Sequence, residues 1–279
     1  MTDNYLNKLD VCFTEINSDK TLCFLSNDKK FAGHNYTKKY YELFEKYKDK
    51  PISLLEIGVS LWHCSTATRY DLNEKYIGTK TWKKVYPNIK LHGFDINKYS
   101  SDKDIKMYHG DQSCKKCLEK INEEFDIIID DGSHARNHQQ YSFFKLFRKI
   151  KKGGCYIIED CHSDFDSYLD DKLHYDKKYA KYSSICTVCK YEKFNPIKKG
   201  ISTFELFREW NNGNWIIPDN NNNYMTYEDK INFIDGIKNK IDIDIHLTNR
   251  YDPFTGKQYK SGTLKNPINS SIMIIIKKI

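Results

Sequence analysis

Two apolar runs between Phe125 and Asp160 each stop on a pair of carboxylates, and a helical stretch joins them. The first run, Ile127 to Ile129, ends at Asp130 and Asp131. A Gly132-Ser133 turn and His134 follow. Apolar residues then recur at Tyr141, Phe144, Phe147 and Ile150, a helical spacing that Gly153-Gly154 closes. The second run, Cys155 to Ile158, ends at Glu159 and Asp160. Strand, crossover helix and strand imply two parallel neighbours in one sheet. Parallel neighbours place their C-terminal ends on one edge, where open α/β sheets bind ligands.

Four carboxylates on one edge repel each other unless a cation lies among them. Hard oxygen donors favour Mg²⁺, Mn²⁺ or Ca²⁺ over zinc. His134, three residues after Asp131, is placed to act as a base near neutral pH. The plainer reading is that one Asp of each pair caps the following helix. For Asp130 alone the two readings are equally good; two pairs with a histidine between them favour a site.

The 279 residues suffice for one large domain or two small ones. The charge of +7 comes from lysines spread among acids, which suits a solvated surface better than a nucleic-acid footprint. No apolar run is long enough for a bilayer, and the polar start MTDNYLNKLD lacks a signal-peptide core. The expectation is a cytoplasmic protein without a membrane partner. Its nine cysteines are then reduced thiols rather than a disulfide framework. Two C-x-x-C pairs occur, Cys114/Cys117 and Cys186/Cys189, but 68 residues separate them, against about 15–20 in a zinc ribbon, which counts against a joint zinc site.

Along the chain, Val11 to Phe13 and Leu22 to Leu25 suit a strand or hairpin. Thr37 can cap a helix with a stripe of Tyr40, Leu43, Phe44 and Tyr47. Ile52 to Ile57 is a buried-strand pattern entering Gly58, where a ligand can approach the backbone. Leu91 to Asp95 ends on an acid suited to ribose hydroxyls, or on an ordinary turn Asp. A weak strand, Ile105 to Tyr108, precedes Asp111 and Gln112, and Cys117 to Phe125 suits a short helix. A helix is expected at Thr203–Trp210, a short helix or turn at Tyr227–Ile237, and strands at Ile241–Leu247 and Ser270–Lys277. The last two strands suit an antiparallel edge hairpin on a mostly parallel sheet.

The segments LLEIGVS, HGFDI, GDQS, FDIIIDDGSH and KKGGCYIIED, with the terminal strand, stand in the order found in class I S-adenosylmethionine-dependent methyltransferases. DDGSH with IIED resembles the metal-dependent sugar O-methyltransferases of the macrocin and mycinamicin type, and polysaccharide methyltransferases are similar. The likeness covers residues 33–160, the final strand and the helix at 203–210. It implies an α/β fold: a Rossmann-like, mostly parallel seven-stranded sheet with helices on both faces and an antiparallel C-terminal hairpin. An N-terminal helical cap would occupy residues 1–50 and the methyltransferase domain 51–279, with insertions at 61–76 and 161–200.

The resemblance further implies an O-methyltransferase using S-adenosyl-L-methionine and Mg²⁺ (or Mn²⁺). The acceptor would be a saccharide hydroxyl in a nucleotide sugar, a glycan, as in polysaccharide biosynthesis, or a glycosylated small molecule. A homo-oligomer is compatible with it. Asp131, Glu159 and Asp160 match the metal ligands and His134 the catalytic base. Glu56 and Gly58 match the cofactor loop, Asp95 the ribose contact, and Asp111 and Gln112 the adenine side. Asp130, His34 and Tyr36 are grouped with the cofactor residues. The family follows EIGVS with a Gly-Gly pair; here LWHCSTATRYDLNEKY intervenes before Ile77-Gly78. Either Gly78 stands in for the displaced glycine after an insertion, or Trp62 and His63 replace the glycines directly.

Three other classes compete. An RNA cap 2′-O-methyltransferase shares the sheet but normally uses a Lys-Asp-Lys-Glu arrangement without His134. Asp164-Phe165-Asp166 is a D-x-D of the glycosyltransferase kind, a pattern common by chance in Asp-rich loops. A non-catalytic binding subunit would explain the interrupted glycine loop but not the acidic pairs. His138, four residues after His134, is expected on the surface or the acceptor side.

Overall fold

Seven segments of high apolar content pair into one sheet: β3 (Ile52–Ile57), β4 (Ile89–Asp95), β5 (Ile105–His109), β6 (Phe125–Asp130), β7 (Ile150–Ile158), β8 (Ile241–Asn249) and β9 (Ser270–Lys278). The computed structural model describes residues 3–16, 18, 20–21, 23–26, 29–59, 77–161, 185–191, 200–218, 225–249 and 270–279. The strand order is β5-β4-β3-β6-β7-β9-β8. The first five are parallel, while β9 runs antiparallel to β7 and β8 antiparallel to β9. This is the mixed sheet with a C-terminal edge hairpin that the alternation of apolar and turn residues leads one to expect.

The central strands are continuous apolar runs because both faces of the sheet are covered. Side chains alternate between two cores. Leu54, Ile127, Ile129, Ile157 and Ile275 enter one core, with residues of α1 (Asp3–Glu15), α2 (Thr37–Phe44) and α3 (Ile77–Val85). Leu55, Ile128, Tyr156, Ile158 and Ile274 enter the other, with α4 (Lys115–Leu118), α5 (Arg136–Leu146), α6 (Thr203–Asn211) and α7 (Tyr227–Ile237). Capping boxes at Ser202/Glu205 and Thr226/Asp229 start α6 and α7. Among the described residues no helix is long and apolar enough to cross a membrane.

Several local expectations are corrected. Val11 to Phe13 lies in α1, with Cys12 and Phe13 buried and Val11 exposed; only the following segment forms a hairpin, β1 (Cys23–Ser26) with β2 (Lys29–Ala32). Thr37 does not cap α2, since its hydroxyl donates to Asp10. The helix expected over Cys117–Phe125 is the single turn α4, because Phe125 already belongs to β6. Gly153-Gly154 falls inside β7 rather than at a helix end. A register shift of the β6–β7 pair lies beside it, and a Cβ on Gly154 would meet the Asp126 carbonyl at 2.4 Å. The insertion at 61–76, the D-x-D and most of 161–200 lie outside the described residues.

Trp82 of α3 fills the centre of the first core. Its ring centroid lies 4.9 Å from Phe13, 4.9 Å from Tyr40 and 5.0 Å from Phe44. Trp82→Ala should therefore cost about 3–5 kcal/mol of stability. Urea unfolding checks this; an unchanged midpoint would contradict the packing described.

Candidate functional site

The parallel ladder runs one residue beyond its strands. Gly58 N–H donates to Phe94 O (2.9 Å), Asp131 N–H to Ile57 O (2.9 Å) and Glu159 N–H to Asp130 O (3.0 Å). Gly58, Asp131 and Glu159 thus stand side by side on the C-terminal edge. The chain leaves β3 toward β4 on one side, while β6 and β7 continue on the other, so this edge is the topological switch point. Gly58 has φ +83°, and a Cβ there would lie 2.1 Å from the Asp131 carbonyl oxygen. Only glycine fits that turn.

The carboxylates divide into inward and outward oxygens. Lys20, buried at 4% exposure, places its Nζ 2.7 Å from Asp131 Oδ2, 2.7 Å from Glu159 Oε1 and 3.7 Å from Glu56. The Tyr40 hydroxyl also donates to Glu159 Oε1. Across the edge, the Tyr36 hydroxyl donates to Asp160 Oδ1 at 3.0 Å and His34 Nε2 lies 3.4 Å from Asp160 Oδ2. Burial and the neighbouring carboxylates hold both tyrosines far above the usual phenol range, so they remain donors. Burial also raises the Glu159 and Glu56 carboxyls, with Lys20 opposing it in each.

His134 faces the outward oxygens. Its Nε2 is 3.9 Å from Asp131 Oδ1 and 3.9 Å from Asp160 Oδ2. Asp131, His134 and Asp160 each offer a ligand atom, all within 4.8 Å of one another. His134 and Asp160 both adopt left-handed backbone, with φ 57° and 55°, as does Asn35 between His34 and Tyr36. Such conformations are costly for residues with side chains and gather where a site must hold a particular geometry.

Other expected residues are held below this rim. Asp130 is fully buried, and Gln112 Nε2, Ser142 Oγ and Tyr156 OH donate to it at 2.6–3.0 Å. Burial lifts its carboxyl to about 6, with these donors opposing. Asp130 and Gln112 bond to each other beneath the Asp131–His134 turn, where Gln112 Oε1 also accepts the Ser133 N–H. His138 is likewise buried rather than on the surface, with its Nδ1 2.9 Å from Ser133 Oγ. Glu159, expected as a third metal ligand, points to Lys20 and Tyr40 and falls outside the Asp131–His134–Asp160 group. His34 and Tyr36 brace Asp160, and His34 Nδ1 reaches Ser271 Oγ at 2.6 Å.

On the other flank, Asp95 accepts the Val59 and Asn97 N–H groups at 3.0 and 2.7 Å. It therefore sits beside the Gly58 turn. Asp111 accepts the Ser113 N–H at 2.9 Å and fixes the turn after β5. Gly78 lies buried in the first turn of α3, whose Thr79 and Trp82 oppose the rise that burial gives the Glu56 carboxyl. The chain between Val59 and α3, where the displaced glycine pair was expected, lies outside the described residues.

Comparison with known proteins follows the same architecture. A mycinamycin-pathway methyltransferase, MycE, solved with Mg and S-adenosylhomocysteine (SAH), superposes with a TM-score of 0.56 at 20% identity, covering 97% of this chain and 54% of that one. The chain has the Rossmann-like methyltransferase fold. A tetracenomycin-C rhamnosyl 3′-O-methyltransferase from Streptomyces olivaceus is 33% identical over 140 residues, 48% of this chain and 34% of the relative. The mycinamicin VI 2″-O-methyltransferase of Micromonospora griseorubida is 34% identical over 133 residues, 46% of this chain and 31% of the relative. The matched part thus spans about a third of the length of these curated relatives. No protein-family model matches the chain.

Within this methyltransferase fold, the residue that sequence reasoning missed is Lys20. It lies 111 positions from Asp131 and has no flanking motif. The only available signal was electrostatic: crowded carboxylates need a cation, and the chain supplies one itself. Removing it strands buried charge. Lys20→Met should cost about 3–5 kcal/mol. Combining it with Glu159→Gln should cost less than the sum of the single changes. Strict additivity in denaturant titrations would show that the two side chains are not coupled.

Proposed function

We propose that this chain is an S-adenosylmethionine- and divalent-metal-dependent O-methyltransferase acting on a sugar hydroxyl of a glycosylated small molecule. The observation that carries this reading is the convergence of Asp131, His134 and Asp160 at the switch point of a methyltransferase sheet. Two curated relatives are named for methylating sugars of tetracenomycin and mycinamicin, which narrows the acceptor from saccharides in general. Those names lend no support to polysaccharide biosynthesis.

The residues present suit both groups. Asp131 Oδ1 and Asp160 Oδ2 are hard donors turned toward one space, while Lys20 and Tyr36 hold their other oxygens. They would hold Mg²⁺ or Mn²⁺, which supplies Lewis acidity that lowers the pKa of a bound hydroxyl. The Gly58 turn and Asp95 flank the crevice where S-adenosylmethionine would bind, and it supplies a methyl group on an already activated sulfonium leaving group.

The chain's own work is then positioning and deprotonation. Tyr36 and His34 fix Asp160, Lys20 fixes Asp131, and the acceptor hydroxyl is oriented between them. His134, at the mouth of this group, takes the hydroxyl proton on Nε2 as the oxygen attacks the methyl carbon. Glu159 acts indirectly, by holding Lys20 under Asp131.

His134→Ala should keep cofactor affinity by calorimetry and lose turnover by on the order of 10²–10⁴. A fully active variant would refute the base assignment. Methyl transfer from labelled S-adenosylmethionine to glycosylated small molecules should stop with EDTA and return on adding Mg²⁺ alone. EDTA-resistant transfer would remove the metal from the mechanism.

A further inference from the structure

A second cluster of metal-ligating side chains lies apart from the carboxylate edge. Cys114 and Cys117 sit at the start of α4, and Cys186 and Cys189 on a turn over residues 185–191. Though 68 residues separate the two pairs, the fold brings them together. Cys114 Sγ is 3.1 Å from Cys189 Sγ, and Cys117 Sγ is 3.6 Å from Cys186 Sγ. All four sulfurs lie within 4.8 Å of one another. A tetrahedron with Zn–S bonds of about 2.3 Å spaces its sulfurs about 3.8 Å apart. Two separate disulfides need sulfurs about 2.05 Å apart in pairs and give no reason for four to converge.

The backbone is shaped to the same end. Cys117 N–H donates to Cys114 O at 3.1 Å, and Lys190 N–H to Cys186 O at 2.9 Å, so each C-x-x-C is a tight turn. Lys190, directly after the second pair, is left-handed with φ 63°. Beyond that bend, Tyr191 O accepts the Cys186 N–H at 2.8 Å and closes the second turn. Cys114, Cys117 and Cys186 are buried, and Cys189 is partly exposed, which leaves an entry path. Lys116 lies over the Tyr191 ring at 5.7 Å, adding positive charge near a group whose zinc complex carries two net negative charges.

We propose that Cys114, Cys117, Cys186 and Cys189 form a closed structural Zn²⁺ site that clips the segment around residues 185–191 to the loop after β5. Binding exchanges the thiol protons for four Zn–S bonds and releases the protons to solvent. Soft thiolates select zinc, whereas the carboxylate edge selects a hard ion. The clip also fixes the loop that carries Gln112, two residues before Cys114. It stands independently of the proposed methyl transfer.

The test is metal analysis of the full chain purified under reducing conditions without chelator. One zinc per chain is expected, and cobalt exchanged into the site should show intense thiolate charge-transfer bands with tetrahedral d–d bands. Cys186→Ser/Cys189→Ser should lose the metal and lower Tm by on the order of 5 °C or more. Cys189→His, which keeps a closed Cys₃His set, should retain it. His134→Ala should retain it too, which separates this site from the carboxylate edge. Should the double variant fail to fold, the cobalt spectrum of the unaltered chain decides. Substoichiometric zinc, iron in its place, cobalt without thiolate bands, or a mass spectrum showing two disulfides would each overturn the proposal.

Discussion

The buried ammonium of Lys20 is what allows this protein to gather carboxylates at its strand ends. Glu56, Asp131, Glu159 and Asp160 crowd one edge, and a buried carboxylate without a partner is among the most unfavourable groups a fold can contain. Lys20 pairs directly with Asp131 and Glu159, and Tyr40 and Tyr36 donate to Glu159 and Asp160. One ammonium does not neutralise four acids. Part of the imbalance is absorbed by burial, which raises Glu56 and Glu159 toward their neutral forms. The rest remains on the outward oxygens of Asp131 and Asp160. The same arrangement that makes the edge stable therefore leaves a negative potential where a divalent ion would act.

Holding those oxygens in place requires backbone that side chains resist. His134, Asp160 and Asn35 are left-handed, and Gly58 is packed against the Asp131 carbonyl. Three unfavourable conformations on one rim persist because the surroundings over-determine them. Below the turn, Gln112 ties Asp130 to the Ser133 N–H. Beside it, β9 receives the Tyr36 hydroxyl at Ile272 O and meets His34 at Ser271. The two apolar cores on either face supply the rigidity, and the rim carries the strain.

Much of the sheet was legible because parallel strands covered on both faces read as unbroken apolar runs, as in FDIIID and CYIIED. The edge hairpin was legible from the alternation of Ile241–Leu247. Local helix boundaries were less so. Val11–Phe13 is apolar in a way that fits strand or helix, and its packing on α2 and α3 decided for helix. At the site, Asp131, His134 and Asp160 were readable because they adjoin strand ends. The direction each carboxylate faces was not. Adjacent residues past a strand end point to opposite sides, so Asp130 went down to Gln112 while Asp131 went up to His134. Lys20 and the union of the two cysteine pairs depend on contacts across 111 and 69 positions, and no local pattern encodes them.

The short stretch from Asp111 to Leu118 links the two proposed metal centres. Its first residues hold Asp130 through Gln112, and Asp130 underlies the turn that presents Asp131 and His134. Its last residues carry two of the four thiols and pack on the core shared with α5. Ligand chemistry would keep the two proposed ions from exchanging places. Four thiolates prefer a soft or borderline ion, while the carboxylates of Asp131 and Asp160 prefer a hard one. A closed sulfur tetrahedron has no open position for substrate, so it can only fasten. The carboxylate edge, with Asp131 and His134 partly exposed above the buried Asp160, is open to a ligand. In the proposed arrangement, fastening one end of this stretch would limit how far its other end can drift, and so would keep His134 aimed at the hydroxyl it is proposed to deprotonate.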